Sequence, residues 1–299
     1  MINNKSNNLV LHVVLFIIAA ISIGSASILV KLSFASAIAC AFWRLFLTSM
    51  LTLVMYLITN SSVISIRKTL GKDRILMMFV SGVSLAFHFI LWMESLFLIP
   101  IAISVTIVVA YPLHLALIEI VWEKERKAFT SLAGLLLGFL GIIVLFREAY
   151  IYAKFNVFGI MQSFTASILA AIYFYIGRYL RKTIDLYSYS FYVYTIASII
   201  VLTYSLIIKE NVFVYLPKSW LWFLLLAIVP MLGGHTIMNY LLKFYRSSSV
   251  TSIALAEPVI ASILAVLVFG EVVEVFHIVC LAIILIGIAI SLTPEFLSS

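Results

Sequence analysis

The sequence predicts an all-α membrane protein whose ten transmembrane helices form two inverted five-helix repeats. Three observations carry this. Hydrophobic residues make up 65% of the chain and charged residues only 10%, where a soluble globular chain has about half and a quarter. The apolar residues fall in runs that approach or exceed the roughly 17 residues needed to cross a hydrocarbon core as a helix. One local design also occurs twice: Ala110-Tyr111-Pro112 aligns with Ala256-Glu257-Pro258, and at the same offset Glu125 falls on Glu271 and Gly141 on Gly287.

In chain order the spans are Leu9–Val30, Ala35–Ile58, Ile75–Met93, Leu98–Trp122, Phe129–Phe146, Phe155–Leu180, Tyr187–Ile208, Ser219–Leu242, Ser248–Phe269 and Val275–Leu292. The first is longer than the apolar core of a typical signal peptide and has a counterpart in the second half, so it reads as a retained span. Residues 1–146 make one repeat and 147–299 the other. An odd number of helices per half turns the second half over in the membrane. This plan is common among secondary transporters, whose sites lie near mid-bilayer between the halves. Several connections are only a few residues long, which places the protein's work inside the lipid bilayer.

The net charge of +7 is a topology signal, because the basic residues sit in short loops instead of along one continuous face. No nucleic-acid partner is expected. One side collects Lys5, Arg67, Lys68, Lys72, Arg74, Lys124, Arg126, Lys127, Arg178, Arg181, Lys182, Lys243 and Arg246, the other only Lys31, Arg147, Lys154, Lys209 and Lys218. By the positive-inside rule this is a multi-pass protein of the cell membrane with both termini cytoplasmic, Lys68 and Arg126 inside, Lys154 and Glu274 outside. Cys40 and Cys280 both lie in apolar segments, so no disulfide framework and no CxxC metal or redox motif is present. No cofactor or metal is expected.

Leu255-Ala256-Glu257-Pro258-Val259-Ile260-Ala261-Ser262, followed by Phe269-Gly270-Glu271 and joined by Trp43-Arg44-Leu45 in the second span, resembles the EamA-type branch of the drug/metabolite transporter superfamily. Pro112 and Glu125 repeat the pattern in the first half. Trp122-Glu123-Lys124-Glu125 departs from it, lacking the family's usual glycine before the glutamate. The resemblance implies ten helices in two inverted repeats, a central cavity, and carrier-type transport of small metabolites, frequently export of amino acids. A secondary-active carrier working by alternating access is therefore expected, with amino acids or related amines as substrates and protons as a candidate coupling ion. A non-transporting sensor or scaffold and a sugar-phosphate or nucleotide exchanger are the alternatives. The sequence leaves the oligomeric state open.

Polar residues inside spans are costly, so they are the candidates for the site. The expected substrate-binding set is Tyr111, Trp92, His88, His235, Asn239, Tyr240 and Glu257. Arg44, Pro112 and Pro258 are expected to have structural or gating roles. Arg44 lies too deep for easy snorkelling and should pair with a carboxylate or helix-terminal carbonyls. His88 and His235 fall at nearly equivalent places in the two repeats, and histidine titrates near neutral pH, so the pair reads either as a proton relay or as packing. Glu257 reads as a proton site or as an acceptor for donors freed by Pro258. Mid-span tyrosines (Tyr111, Tyr173, Tyr175, Tyr192, Tyr240) need hydroxyl partners, which a wet cavity shared with Gln162 and Ser25 would supply. Glu119, Lys31 and Glu94 lie near span ends and are expected to be solvated or snorkelling. Gly24-Ser25-Ala26-Ser27 and the Gly134/Gly138 pair read as close helix packing.

Rival chemistries find little support. An intramembrane aspartyl protease needs two aspartates within spans, but Asp73 and Asp185 lie in loops. Neither HExxH nor a GxSxG-type nucleophile turn occurs. No filter-like loop or charged ring suggests a channel.

Overall fold

The computed structural model describes residues 2–59, 71–152, 156–260, 263 and 274–297. Its helices are α1 (Leu9–Leu32), α2 (Ala37–Thr59), α3 (Lys72–Leu98), α4 (Ile101–Val121), α5 (Lys127–Leu145), α6 (Val157–Arg181), α7 (Leu186–Ile207) and α8 (Pro217–Leu241). Then come α9, over residues 247–260, and α10 (Val275–Phe296). All but α9 are long and apolar enough to cross a membrane, which makes nine among the described residues. The remainder of the ninth predicted span, Gly270 and Glu271 of the repeated motif, and Arg67, Lys68 and Lys154 of the loop count lie outside the described residues.

Local chemistry sets several helix ends. Ile99 precedes Pro100 and is extended (φ −132°, ψ 161°), as a residue before proline prefers, so α3 stops there. It runs past its predicted end at Met93 because Glu94 and Ser95 end the apolar run without ending the backbone ladder. Asn156 and Asp185 cap α6 and α7, their side chains accepting from Gly159 N at 3.1 Å and Ser188 N at 2.9 Å. Pro217 opens α8, where a missing N–H costs nothing.

Two helices are interrupted at equivalent places. α4 breaks at Val109-Ala110, between Ile101–Val108 and Tyr111–Val121. α9 tightens to a 3₁₀ turn over Ser252–Ala256 before resuming at Glu257. In each case the proline is the second residue of the new segment, so its absent donor falls among the unsatisfied N–H groups of a first turn. That is how two prolines are tolerated deep in apolar helices. α8 is interrupted differently: residues Ala227–Thr236, containing Pro230, Gly233 and Gly234, form a wide π-helical stretch.

The packing carries the duplication. Exchanging each helix for its counterpart five places along the chain maps the most extensive packed pairs onto packed pairs. α3 packs on α6 as α8 packs on α1, whereas α2 with α7, α4 with α9 and α5 with α10 are each their own image. The α5–α10 seam is drawn tight by glycine. A Cβ on Gly134 would stand 2.5 Å from both Gly287 O and Ser291 N, and one on Gly287 would stand 2.5 Å from Gly138 N. Backbones approach this closely only where side chains are absent. Gly24 plays a similar part, its face filled by Ile260 of α9. Outward faces such as Val275, Ile278, Val279, Leu285 and Ile286 of α10 are exposed and apolar, suited to lipid.

Candidate functional site

A small cavity of about 30 Å³ lies where the halves meet. Its walls are Ile23 and Ala26 of α1, Arg44 of α2, His88 and Trp92 of α3, Val108, Val109 and Tyr111 of α4, His235 of α8, and Ala254 and Glu257 of α9. Both interrupted helices therefore turn their breaks toward it. Six residues singled out in the sequence, Arg44, His88, Trp92, Tyr111, His235 and Glu257, converge on one space. At this volume it holds about one water molecule, far below the roughly 300 Å³ or more of a metabolite site.

The polar groups around it are incompletely partnered. Among the described residues, Arg44 Nε, Nη1 and Nη2, Trp92 Nε1, His235 Nδ1 and Glu257 Oε1 are buried without a hydrogen-bond partner. Ordinary interiors satisfy nearly all such atoms, so six in one cavity point to a space built for polar contents. Arg44 departs from the sequence expectation: among the described residues no carboxylate or helix-terminal carbonyl pairs with it. Its guanidinium lies over the Phe89 ring, 4.0 Å from the centroid. A cation–π contact of this kind offsets part of the desolvation of a buried charge and leaves every N–H available. Ser27 is the polar neighbour of Glu257.

The two histidines differ. His88 Nδ1 lies 2.9 Å from Ala166 O. Because a carbonyl only accepts, that nitrogen carries the hydrogen, and in the neutral ring Nε2 is left as an acceptor. His235 has no such anchor at Nδ1. Its ring is held instead by aromatic faces, stacked on Phe174 at 5.6 Å and edge-on to Phe89 at 5.2 Å. The two imidazole centroids are 6.4 Å apart. Phe174 also stacks on Tyr111 at 5.5 Å, so one ring of α6 spaces a first-half tyrosine from a second-half histidine. Phe89, Phe174 and Ser27 were not singled out in the sequence. An apolar ring in an apolar helix gives no signal, and Ser27 reads there as packing.

Asn239 and Tyr240 lie elsewhere. Asn239 Nδ2 donates to Tyr173 Oη at 2.6 Å and Tyr194 Oη at 3.2 Å, in a polar cluster that continues to Thr236 through Tyr194. Tyr240 faces a separate space of about 520 Å³ bordered by Thr59, Arg181, Lys182, Asp185, Tyr187 and Lys243. Gln162 donates to Glu94 at 2.7 Å instead of reaching the cavity, and Ser25 bonds back to Ser22 O within its own helix. Lys31 donates to Leu96 O and lies over the Phe97 ring.

Glu119 overturns its expectation. It is fully buried, accepting from the backbone N–H of Ser248 at 3.1 Å and from the Ser248 hydroxyl, with Arg178 at an ion-pair distance of 3.5 Å that lacks hydrogen-bond geometry. The start of α9 covers this end of α4, which proximity to a span terminus could not reveal. Nearby, Arg246 bonds Glu295 at 2.5 Å and Ser131 at 3.0 Å, tying α9 to α10 and α5. The two groups join the halves at the end of the bundle that carries the Lys/Arg-rich turns.

The EamA-like transporter family matches this chain twice, over residues 10–147 and 157–293. The chain belongs to that family. A protein of Archaeoglobus fulgidus described as an uncharacterized transporter is 27% identical over 167 residues, spanning 56% of this chain and 58% of that relative. A crystal structure of a protein superposes with a TM-score of 0.76, covering 95% of this chain and 98% of the other at 15% identity, a likeness of fold alone.

Proposed function

We propose that this transporter is a secondary carrier that binds a small, partly apolar metabolite, with amino acids or related amines the leading class, in the cavity bounded by Arg44, His88, Trp92, Tyr111, His235 and Glu257. The observation that carries the reading is the set of unpartnered buried polar atoms contributed by both halves to one space. A site made jointly by inverted halves is opened to one side by rocking one half against the other, and this arrangement supports alternating access. Widening is required, because a volume of about 30 Å³ admits no metabolite. The Lys/Arg-rich end is assigned to the cytoplasm, with both termini inside and export as the working direction. Residues 1–146 and 147–299 are the two moving units. A sugar-phosphate or nucleotide exchanger fits less well: a dianion would meet one arginine and, across the same cavity, the carboxyl group of Glu257.

Counterflow in liposomes tests the reading. Saturable uptake of labelled amino acid or amine, stimulated by unlabelled solute inside, marks a carrier; unsaturable flux marks a channel, and no flux a sensor or scaffold. Protons are the proposed coupling ion, with His88, His235 or Glu257 supplying the titrating group. At least one of His88→Ala, His235→Ala and Glu257→Gln is expected to lose transport or its pH dependence. Wild-type profiles in all three would reduce these residues to packing.

A further inference from the structure

Arg44 was assigned a structural or gating part from the sequence, yet its surroundings give it nothing structural to hold. It is 0% exposed and none of its three guanidinium nitrogens has a hydrogen-bond partner among the described residues. Its aromatic neighbour Phe89 takes the flat face of the guanidinium. The edges, where all five N–H groups point, stay free for a ligand in the plane. Across the same cavity stands Glu257, 3% exposed with Oε1 unpartnered. No ion pair joins the two among the described residues, although they are the cavity's only arginine and only carboxylic acid. Two such groups facing one cavity without a contact between them leave room for something to lie there.

We propose, building on the carrier reading above, that Arg44 is the anion-recognition residue of the site: its planar fork takes the substrate carboxylate, and Glu257 opposite receives a cationic group of the same molecule. The substrate is then a zwitterion, and its remaining part lies among Trp92, Tyr111 and Phe174. A guanidinium matches a carboxylate by two parallel N–H···O contacts, which an ammonium cannot reproduce. A simple amine would leave the buried arginine uncompensated, and a simple carboxylate would leave Glu257 facing its own charge sign without a partner. Of the two solute classes the site was assigned, amino acids are selected over the related amines by this one residue. Carrying both charges together also spares the transporter from moving net substrate charge through the bundle.

The test uses purified full-length protein and the common α-amino acids as probes, read by thermal stabilisation and by competition for counterflow. The best-stabilising amino acid is then compared with its primary amide, which lacks the carboxylate charge, and its decarboxylated amine. The acid is expected to bind at least tenfold more tightly than either. In Arg44→Gln that preference should vanish, with the amine binding as well as or better than the acid; Arg44→Lys should restore part of it. If a variant does not fold, the acid–amide–amine series on the unaltered protein decides alone. Equal binding of acid, amide and amine, or stabilisation by no amino acid, overturns the proposal. Saturable counterflow of any other solute would leave the carrier reading standing in that event, whereas absence of all saturable exchange would remove the carrier reading itself.

Discussion

The α5–α10 seam and the central cavity are both places where the two halves meet, and they are built on opposite principles. At the seam Gly134, Gly138 and Gly287 bring backbones within a few ångströms, and Ser131 donates to Ser291 O at 2.9 Å. At the cavity, large side chains stop short of one another and six polar atoms go without partners. Close packing fixes one arrangement, because a dense interface is not continuously deformable. Unsatisfied polar groups do the reverse, favouring whatever arrangement or ligand relieves them. On the carrier reading proposed above, the seam keeps the halves registered and the cavity is the element that changes.

The largest expected effect is at the seam. Adding even a methyl at Gly287 meets backbone at 2.5 Å, which cannot rotate away as a side-chain tip would. Overpacking of this kind costs about 1–3 kcal/mol, more than the roughly 1 kcal/mol that alanine gains in helix propensity. Gly287→Ala should lower the midpoint of thermal unfolding in detergent, and Gly287→Val or Gly134→Val should abolish monodisperse protein on size-exclusion chromatography. A stable Gly287→Val would break the comparison.

Next comes Arg44→Met. A buried cation without a partner costs free energy in the folded state, and apolar replacement of buried charges is often neutral or stabilising. Transport of the best amino acid should fall at least tenfold while the unfolding temperature stays level or rises. A drop in both would make Arg44 part of the frame.

Smaller shifts are expected from the aromatic walls. Ring contacts contribute about 0.5–2 kcal/mol each, so Tyr111→Ala and Trp92→Ala should raise the apparent KM severalfold without loss of expression. Tyr240→Ala, which removes a side chain from the separate pocket beside Arg181 and Lys243, should leave KM unchanged. At the bottom of the scale, Gly71→Ala meets nothing within 4 Å and should move stability by less than about 0.5 kcal/mol. It is the control showing that it is location, not glycine as such, that makes the seam fragile.

How far the sequence foretold this depended on what each residue does to an apolar helix. Glu257, Pro258 and Pro112 stand out in any apolar run because charge and a missing donor are costly there, and the same offset that aligns them locates both helix breaks. The depth of Arg44, His88 and His235 was legible for the same reason. Rotation about the helix axis was not. Asn239 lies four residues beyond His235 and Tyr240 five, yet the first donates into a cluster with Tyr173 and Tyr194 and the second turns to another pocket. Which face a buried helix presents depends on its neighbours, and helices apolar all round carry little periodic signal. Glu119 was misjudged because its partner Ser248 is remote in sequence. The wide turn around Gly233-Gly234 likewise has no sequence signal beyond Pro230 and the glycines themselves.

The central claim is that the space between the halves is reached alternately from the two sides of the membrane, and thiol accessibility at Ala254, a small residue of the cavity wall, tests it most directly. Ala254→Cys, in a background with Cys40 and Cys280 replaced, would be exposed to an impermeant thiol reagent applied from one face and then from the other in right-side-out and inverted vesicles. Labelling is expected from both faces, with each slowed by a transported amino acid. No labelling from either face, or from one face alone under every condition, would contradict alternating access and leave the cavity a closed defect in the bundle.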